Sequence, residues 1–400
     1  MFKKSSFLLC LIISVIGCFG FSYLKNDNSS LVGAYIDGEY ASNIPSKDDG
    51  YVVEKIVCDN EAVGEWNYDD WGLLVKNMPK KSKCNVYFRK GIKLADTITL
   101  VDTSGKCPTV NSDGTVNVTN VESENSLLCS APDDYGNSYY FRGNVQNNYV
   151  YFANLYWRII RINGDGSIRM IYDGTTAHAN GEASGDRKIG DIAFNEKDDD
   201  NAYVGYMYGT PGSSTYEETH ANINDSTIKK YVDSWYESNI KGTDFEQYLA
   251  DAIFCNDRQL ISGKGYAKYS SSYNVYRGTN KIFCQKNDAF THRDNAIGNS
   301  ALNYAIALLT RTEAILAGGY TDDNKKYYLY SGNAVWLQTP VDAFNEVERA
   351  RNADLTEGGS PYGTGCSTVT CNLGVKPVIN LKAGSLTIGD GSISNPYKIS

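Results

Sequence analysis

Ten cysteines and three histidines are the residues of this 400-residue chain best suited to chemistry, and their spacing limits what they can do. After Cys10 and Cys18 come Cys58, Cys84, Cys107, Cys129, Cys255, Cys284, Cys366 and Cys371. An even number of cysteines in an exported chain reads as a disulfide framework, and sequential pairing is the expectation. No two of the eight show the Cys-x-x-Cys spacing of structural zinc. His178, His220 and His292 lie in separate polar segments, with no nucleophile or metal-ligand spacing beside them. A nucleophile elbow, a phosphate loop and a His-Glu-x-x-His motif are all missing. Carboxylates are plentiful, but abundance does not place two of them at glycosidase separation. The sequence therefore assigns no catalytic residue, cofactor site or metal site. The acidic run Glu196, Asp198, Asp199 and Asp200 is a calcium candidate that reads more simply as a solvated loop.

Recognition chemistry is better represented. After the strand-like Val335-Trp336-Leu337 comes a polar stretch containing Asp342, Glu346, Arg349, Arg351, Asn352 and Tyr362. With Trp336 these residues form the candidate ligand surface, carried on loops around 338–365, for a glycan or a protein. Tyrosine is common, with 31 against four methionines, in keeping with β-rich, partly wet surfaces. A formal charge of −9 without a sustained basic patch excludes nucleic acid as a partner.

The elements that must position these residues start at the N-terminus. Lys3 and Lys4 precede an apolar run from Phe7 to Leu24. As a helix it would be about 27 Å long, close to the hydrocarbon thickness of a bilayer. Residues 1–25 thus read as an uncleaved signal anchor, N-terminus inside and the bulk of the chain extracellular. Cleavage near Gly20 and lipidation at Cys18, in Val15-Ile16-Gly17-Cys18, are the alternatives, giving a secreted or lipid-anchored protein.

The expected fold class is α+β in three parts beyond the apolar helix. Residues 32–96 form a small sandwich-like all-β module, because Cys84, Val86 and Phe88 alternate with Asn85, Tyr87 and Arg89. Trp66 and Trp71 are placed to pack near a Cys58–Cys84 bridge. Residues 97–135 read as a connector bracketed by Cys107 and Cys129. Residues 136–400 form a larger mixed domain. Its clearest element is a hairpin, 157–162 and 167–172, around Asn163-Gly164-Asp165-Gly166. A helix capped at Asp225 or Ser226 buries Ile228, Tyr231, Val232, Trp235 and Tyr236 and turns Lys229, Lys230 and Asp233 outward. Thr310 to Glu313 is a capping box opening a second helix, which Gly318-Gly319 ends.

From Tyr139-Tyr140-Phe141-Arg142-Gly143 through the hairpin, Tyr203 to Gly209, the Ser226 helix, Phe254 to Arg258, Glu313 to Gly319 and Gly374 to Leu381, the chain resembles a family of uncharacterised signal-anchored or prepilin-like cell-surface proteins of low-GC Gram-positive bacteria. The prepilin processing signature is missing, so pilus assembly is not implied. More remotely, Leu309 to Glu313 with Ala317-Gly318-Gly319, Trp336 and Val375-Lys376-Pro377 is similar to formylglycine-generating-enzyme and C-type-lectin-like domains. That resemblance implies a scaffold for variable loops, since the enzyme's cysteine motif is not recognisable. The expected function is non-catalytic ligand binding or adhesion at the cell surface. A structural cell-envelope component is the alternative, and a glycan-active hydrolase stands behind both.

Overall fold

The computed structural model describes residues 31–67, 70–77, 79, 82–98, 106–118, 126–259, 267–268, 279–284, 286–319, 324–343, 351–355 and 368–399. The N-terminal apolar segment lies outside them. Among the described residues no helix is long and apolar enough to cross a membrane. Among the described residues strands far outweigh helices, so the expected α+β fold is realised as a largely β-rich one. Two compact units divide it: residues up to Ile92 with 386–388, and 93–385 with 389–399.

The first unit contains the strands β1 (Leu31–Ile36), β2 (Glu39–Ala41), β3 (Tyr51–Cys58), β4 (Val63–Asn67), β5 (Gly72–Lys76) and β6 (Lys83–Lys90). A four-stranded sheet runs β2-β1-β6-β3, with β1 parallel to β6 and the other pairs antiparallel. The alternation in β6 behaves as its period of two requires: Cys84, Val86 and Phe88 are buried, while Asn85 and Tyr87 are only partly so. The β4–β5 hairpin supplies Trp66, whose indole meets Phe88 and Trp71 edge-on. Cys58 faces Cys84 directly across the β3–β6 ladder, and the two are bonded. Gly64, rather than an indole, lies over that bridge. A Cβ there would sit 3.0 Å from Cys58 Sγ and 2.6 Å from Ile56 Cγ2, which leaves room only for glycine.

The second unit starts earlier than expected. The described part of the predicted connector joins it, because β7 (Leu127–Asp133) pairs along its whole length with β8 (Gly136–Arg142). Then come β9 (Tyr149–Phe152), β10 (Leu155–Ile162), β11 (Ile168–Gly174), helix α1 (Thr227–Asn239), β12 (Ile306–Ala307), helix α2 (Arg311–Leu316), β13 (Val335–Ala343), β14 (Arg351–Leu355), β15 (Val378–Leu381) and β16 (Tyr397–Ile399). The main sheet runs β12-β15-β11-β10-β9-β16, and β8 joins β10 at its far end. The predicted hairpin is β10–β11. Gly166 adopts φ +83° at its turn, and Asp165 Oδ1 accepts from Ser167 N and Oγ.

Both hairpin strands are covered along most of their length, so their residues are buried almost without alternation. Trp235 of α1 meets Trp157 and Tyr172 edge-on. The α2 capping box forms as its spacing predicts, with Thr310 Oγ1 accepting from Glu313 N and Glu313 Oε2 from Thr310 N. Unlike a surface cap, Glu313 is buried and also pairs with Arg161 and Arg169 at 3.3 and 2.5 Å. A strand covered this way can keep arginine only if acceptors meet its guanidinium, and here a carboxylate does so.

Candidate functional site

The polar surface expected after β13 loses its aromatic anchor. Trp336 is 2% exposed, donates through Nε1 to Ile192 O at 2.9 Å and packs edge-on against Phe194. An indole on a paired strand went to the core, where its N–H found a carbonyl 144 positions away. Asp342 pairs in register with Arg351, and Asn352 with Pro340, across β13–β14. Glu346, Arg349 and Tyr362 lie outside the described residues.

Disulfides connect Cys58 with Cys84, Cys107 with Cys129, and Cys255 with Cys284, the sequential pairing expected. Cys371 is also disulfide-bonded; its expected partner Cys366 lies outside the described residues.

The arrangement nearest to hydrolase geometry surrounds His178. Its Nδ1 lies 2.8 Å from Glu182 Oε1 and its Nε2 3.2 Å from Thr176 Oγ1, the order hydroxyl, imidazole, carboxylate of a nucleophilic triad. Asp186 Oδ1, however, sits 2.8 Å from the same Nε2. Burial opposes charging the ring, but the hydrogen bonds to Asp186 and Glu182 outweigh it and raise the His178 pKa. An imidazolium held by carboxylates on both nitrogens has no lone pair with which to take a hydroxyl proton. Asp186 is in turn fixed by Ser184 Oγ and by Thr175 N and Oγ1, so the cluster reads as a loop clamp.

Beneath that loop lies a denser cluster that sequence reasoning missed. Asp173, at the end of β11, accepts from Arg187 Nε at 2.9 Å and Nη2 at 2.7 Å and from Lys376 Nζ at 3.4 Å; Arg158 Nη1 approaches to 3.9 Å. All four are buried. Burial pushes the Lys376 ammonium down to about 8 despite Asp173. Three cations around one carboxylate hold β10, β11, the 185–187 turn and the start of β15 to one geometry. The only signal in the sequence was arginine in strands whose other residues are apolar.

A cleft of about 390 Å3 in the second unit is walled by Tyr216, Glu217, residues 220–222, Arg258, Asn287, Asp288, Asn299 and Ala301. Its centre is Arg258, 1% exposed. Arg258 Nε and Nη2 donate to Asp288 Oδ1 at 3.0 Å, Nη1 to Met207 O at 2.9 Å, and Nη2 also to Asn222 Oδ1. Asn222 Nδ2 and Asn299 Nδ2 both donate to Asn287 O. The Tyr216 and His220 rings stack at 4.1 Å, and Tyr216 Oη donates to Arg258 O at 2.8 Å. Burial and the nearby Arg258 charge depress His220 to about 3, so the ring is neutral at any physiological pH. The short strand Phe254–Cys255, which leads into Arg258, pairs antiparallel with Ala289–Phe290, which follows Asp288, and the Cys255–Cys284 bridge ties the first strand to the segment before the second. Arg258 and Asp288 neutralise one another, leaving Glu217 as the exposed charge on the wall. Such a wall is nearly neutral, mixes polar and apolar surface, and is held by its own hydrogen bonds. His292 takes no part; its Nδ1 lies 2.9 Å from Leu302 O.

No family model, no curated protein and no solved structure matches this chain.

Proposed function

We propose that the chain is an exported, non-catalytic binding or adhesion protein of the bacterial surface, tethered through its N-terminal apolar segment and taking a glycan or protein ligand through loops of its second unit. Disulfides support the compartment, since they persist where thiols are oxidised and not in the cytosol. The observation that carries the binding reading is the cleft around Arg258. Its walls are braced by a disulfide and its charges cancelled internally, so a ligand meets fixed hydrogen-bonding groups without an ordering penalty. The likeness to lectin-type loop scaffolds belongs to the same reading, with the site moved away from Trp336.

Glycan-array and host-protein binding by the exported chain tests this. Retained ligand that is lost in Tyr216→Ala, with Tyr362→Ala as the comparison for the 338–365 loop, supports the cleft. Loss in Tyr362→Ala alone moves the site to that loop. Binding to nothing, together with self-association in sedimentation, would favour a structural envelope component.

A further inference from the structure

Lys229 lies on the stretch of α1 expected to face solvent, yet its side chain is wholly buried. Its Nζ lies 2.7 Å from Asp233 Oδ2 and 3.2 Å from Asp225 Oδ1. The side-chain amide of Asn303 completes a ring of four groups: Nδ2 donates to the same Asp233 Oδ2 at 2.9 Å and approaches Asp225 Oδ2 at 3.4 Å. An amine, a carboxamide and the acid shared between them thus meet on one oxygen. Ile228 and Val232, both buried, flank the site on α1, and the Tyr206 hydroxyl, which feels both aspartates, is buried without a hydrogen-bond partner among the described residues.

We propose that Lys229 and Asn303 form an intramolecular amide cross-link, with Asp233 as the residue that moves the proton. The ammonium of Lys229 gives one proton to the Asp233 carboxylate, and the free amine attacks Asn303 Cγ. The new Nζ–Cγ bond forms, the Cγ–Nδ2 bond breaks, and one ammonia leaves. Lysine ammonium, aspartate and asparagine become a secondary amide, a protonated Asp233 and ammonia, so atoms and charge balance with no oxidant or co-reactant. Asn303 is exposed, which gives the ammonia a way out, and partly exposed Asp225 can hold it as it departs.

The direction of reaction follows from burial. An ion pair keeps two charges in a place where desolvation penalises both, and here burial already raises the Asp233 pKa although Lys229 opposes it. The cross-link replaces that pair by two neutral groups. It also ties α1 covalently to the segment leading into β12, 74 residues later in sequence as Lys229 and Asn303 are numbered. An ordinary buried ion pair is the competing account, and mass separates the two.

The test is the intact mass of the full exported chain after its disulfides are reduced, with peptide mapping. The expected result is a mass lower by one ammonia and a branched peptide joining the Lys229 and Asn303 segments, both lost in Asn303→Ala and in Asp233→Asn. A wild-type chain at its full sequence mass, or a missing ammonia without the branched peptide, overturns the proposal. The wild-type measurement decides even if a variant fails to fold, and it is independent of any ligand.

Discussion

The two units differ in where they hold charge: the second has surface pairs such as Lys241 with Glu237, but adds a buried set for which the described part of the first shows no counterpart. In the first, the ion pairs lie on the surface: Lys76 with Glu65 at 3.1 Å, both more than 60% exposed, and Arg89 with Glu54 at 2.6 Å. Its core is small, centred on Ala34, Trp66, Val86 and Phe88, and is cross-linked by Cys58–Cys84. In the second, Arg142, Arg158, Arg169, Arg187 and Arg258 are all buried, each held by carbonyls or a carboxylate. The difference shows two ways to fix a β-rich fold. A short, regular sheet needs only an apolar face and a staple. A large unit with many irregular connections needs directional bonds, and arginine's five donors reach several loops at once. A surface pair contributes about 0–1 kcal/mol, whereas breaking a buried one costs about 3–5 kcal/mol because it strands a charge.

That contrast can be broken first at Asp173. Asp173→Ala leaves Arg158, Arg187 and Lys376 without their shared carboxylate, and the second unit should lose at least about 3 kcal/mol. Hydrogen exchange read peptide by peptide should show the loss in β10, β11 and β15 while β1 to β6 keep their protection. Equal loss in both units would end the comparison.

Next in size is the staple. Replacing Cys58 and Cys84 together by alanine opens a loop spanning 26 positions and should destabilise the first unit by roughly 3 kcal/mol in the chain-entropy model. The same exchange measurement should now show the loss in β3 and β6. A smaller effect than at Asp173, confined to the other unit, is the outcome the comparison requires.

The His178 clamp should act more weakly and with a definite sign. Its folded pKa is raised above the unfolded value of about 6.5, so its stabilisation is complete below that pH and is lost as pH rises through the folded value. Imidazole resonances followed by NMR should titrate above the free-histidine range and move down in Glu182→Gln. A midpoint below the free value would show that burial wins over the two carboxylates.

Smallest of all should be Lys76→Ala, within about 0.5 kcal/mol of wild type by urea denaturation, because water already solvates that pair. A loss comparable to that at Asp173 would mean that exposure does not set the value of an ion pair here.

Much of the local structure is legible in the sequence. The β6 alternation, the hairpin around Asn163 to Gly166, the Ser226 cap of α1, whose Oγ accepts from Lys229 N at 3.2 Å, and the Thr310–Glu313 box all form where their residues require. The site was much less legible. Lys229 and Asp233 fit a solvated helix face by their spacing, but the face they occupy is covered and Asn303 arrives from far along the chain. Trp336 sat beside a polar stretch, and proximity in sequence made it look like a ligand platform. The cleft at Arg258 had no motif at all, since its walls come from separate segments between 207 and 301.

What this chain's sequence settled alone is whatever depends on neighbours within a turn or a pleat: strand alternation, helix caps, the glycine turn and, through the even set of cysteines, an oxidised framework. What only the folded chain decided is where charge and aromatic rings end up. Lys376 meets Asp173 across 203 positions, and Arg169 meets Glu313 across 144. The free energy of a buried charge is set by the group that faces it, and which group that is depends on the packing of distant strands, to which local periodicity is blind.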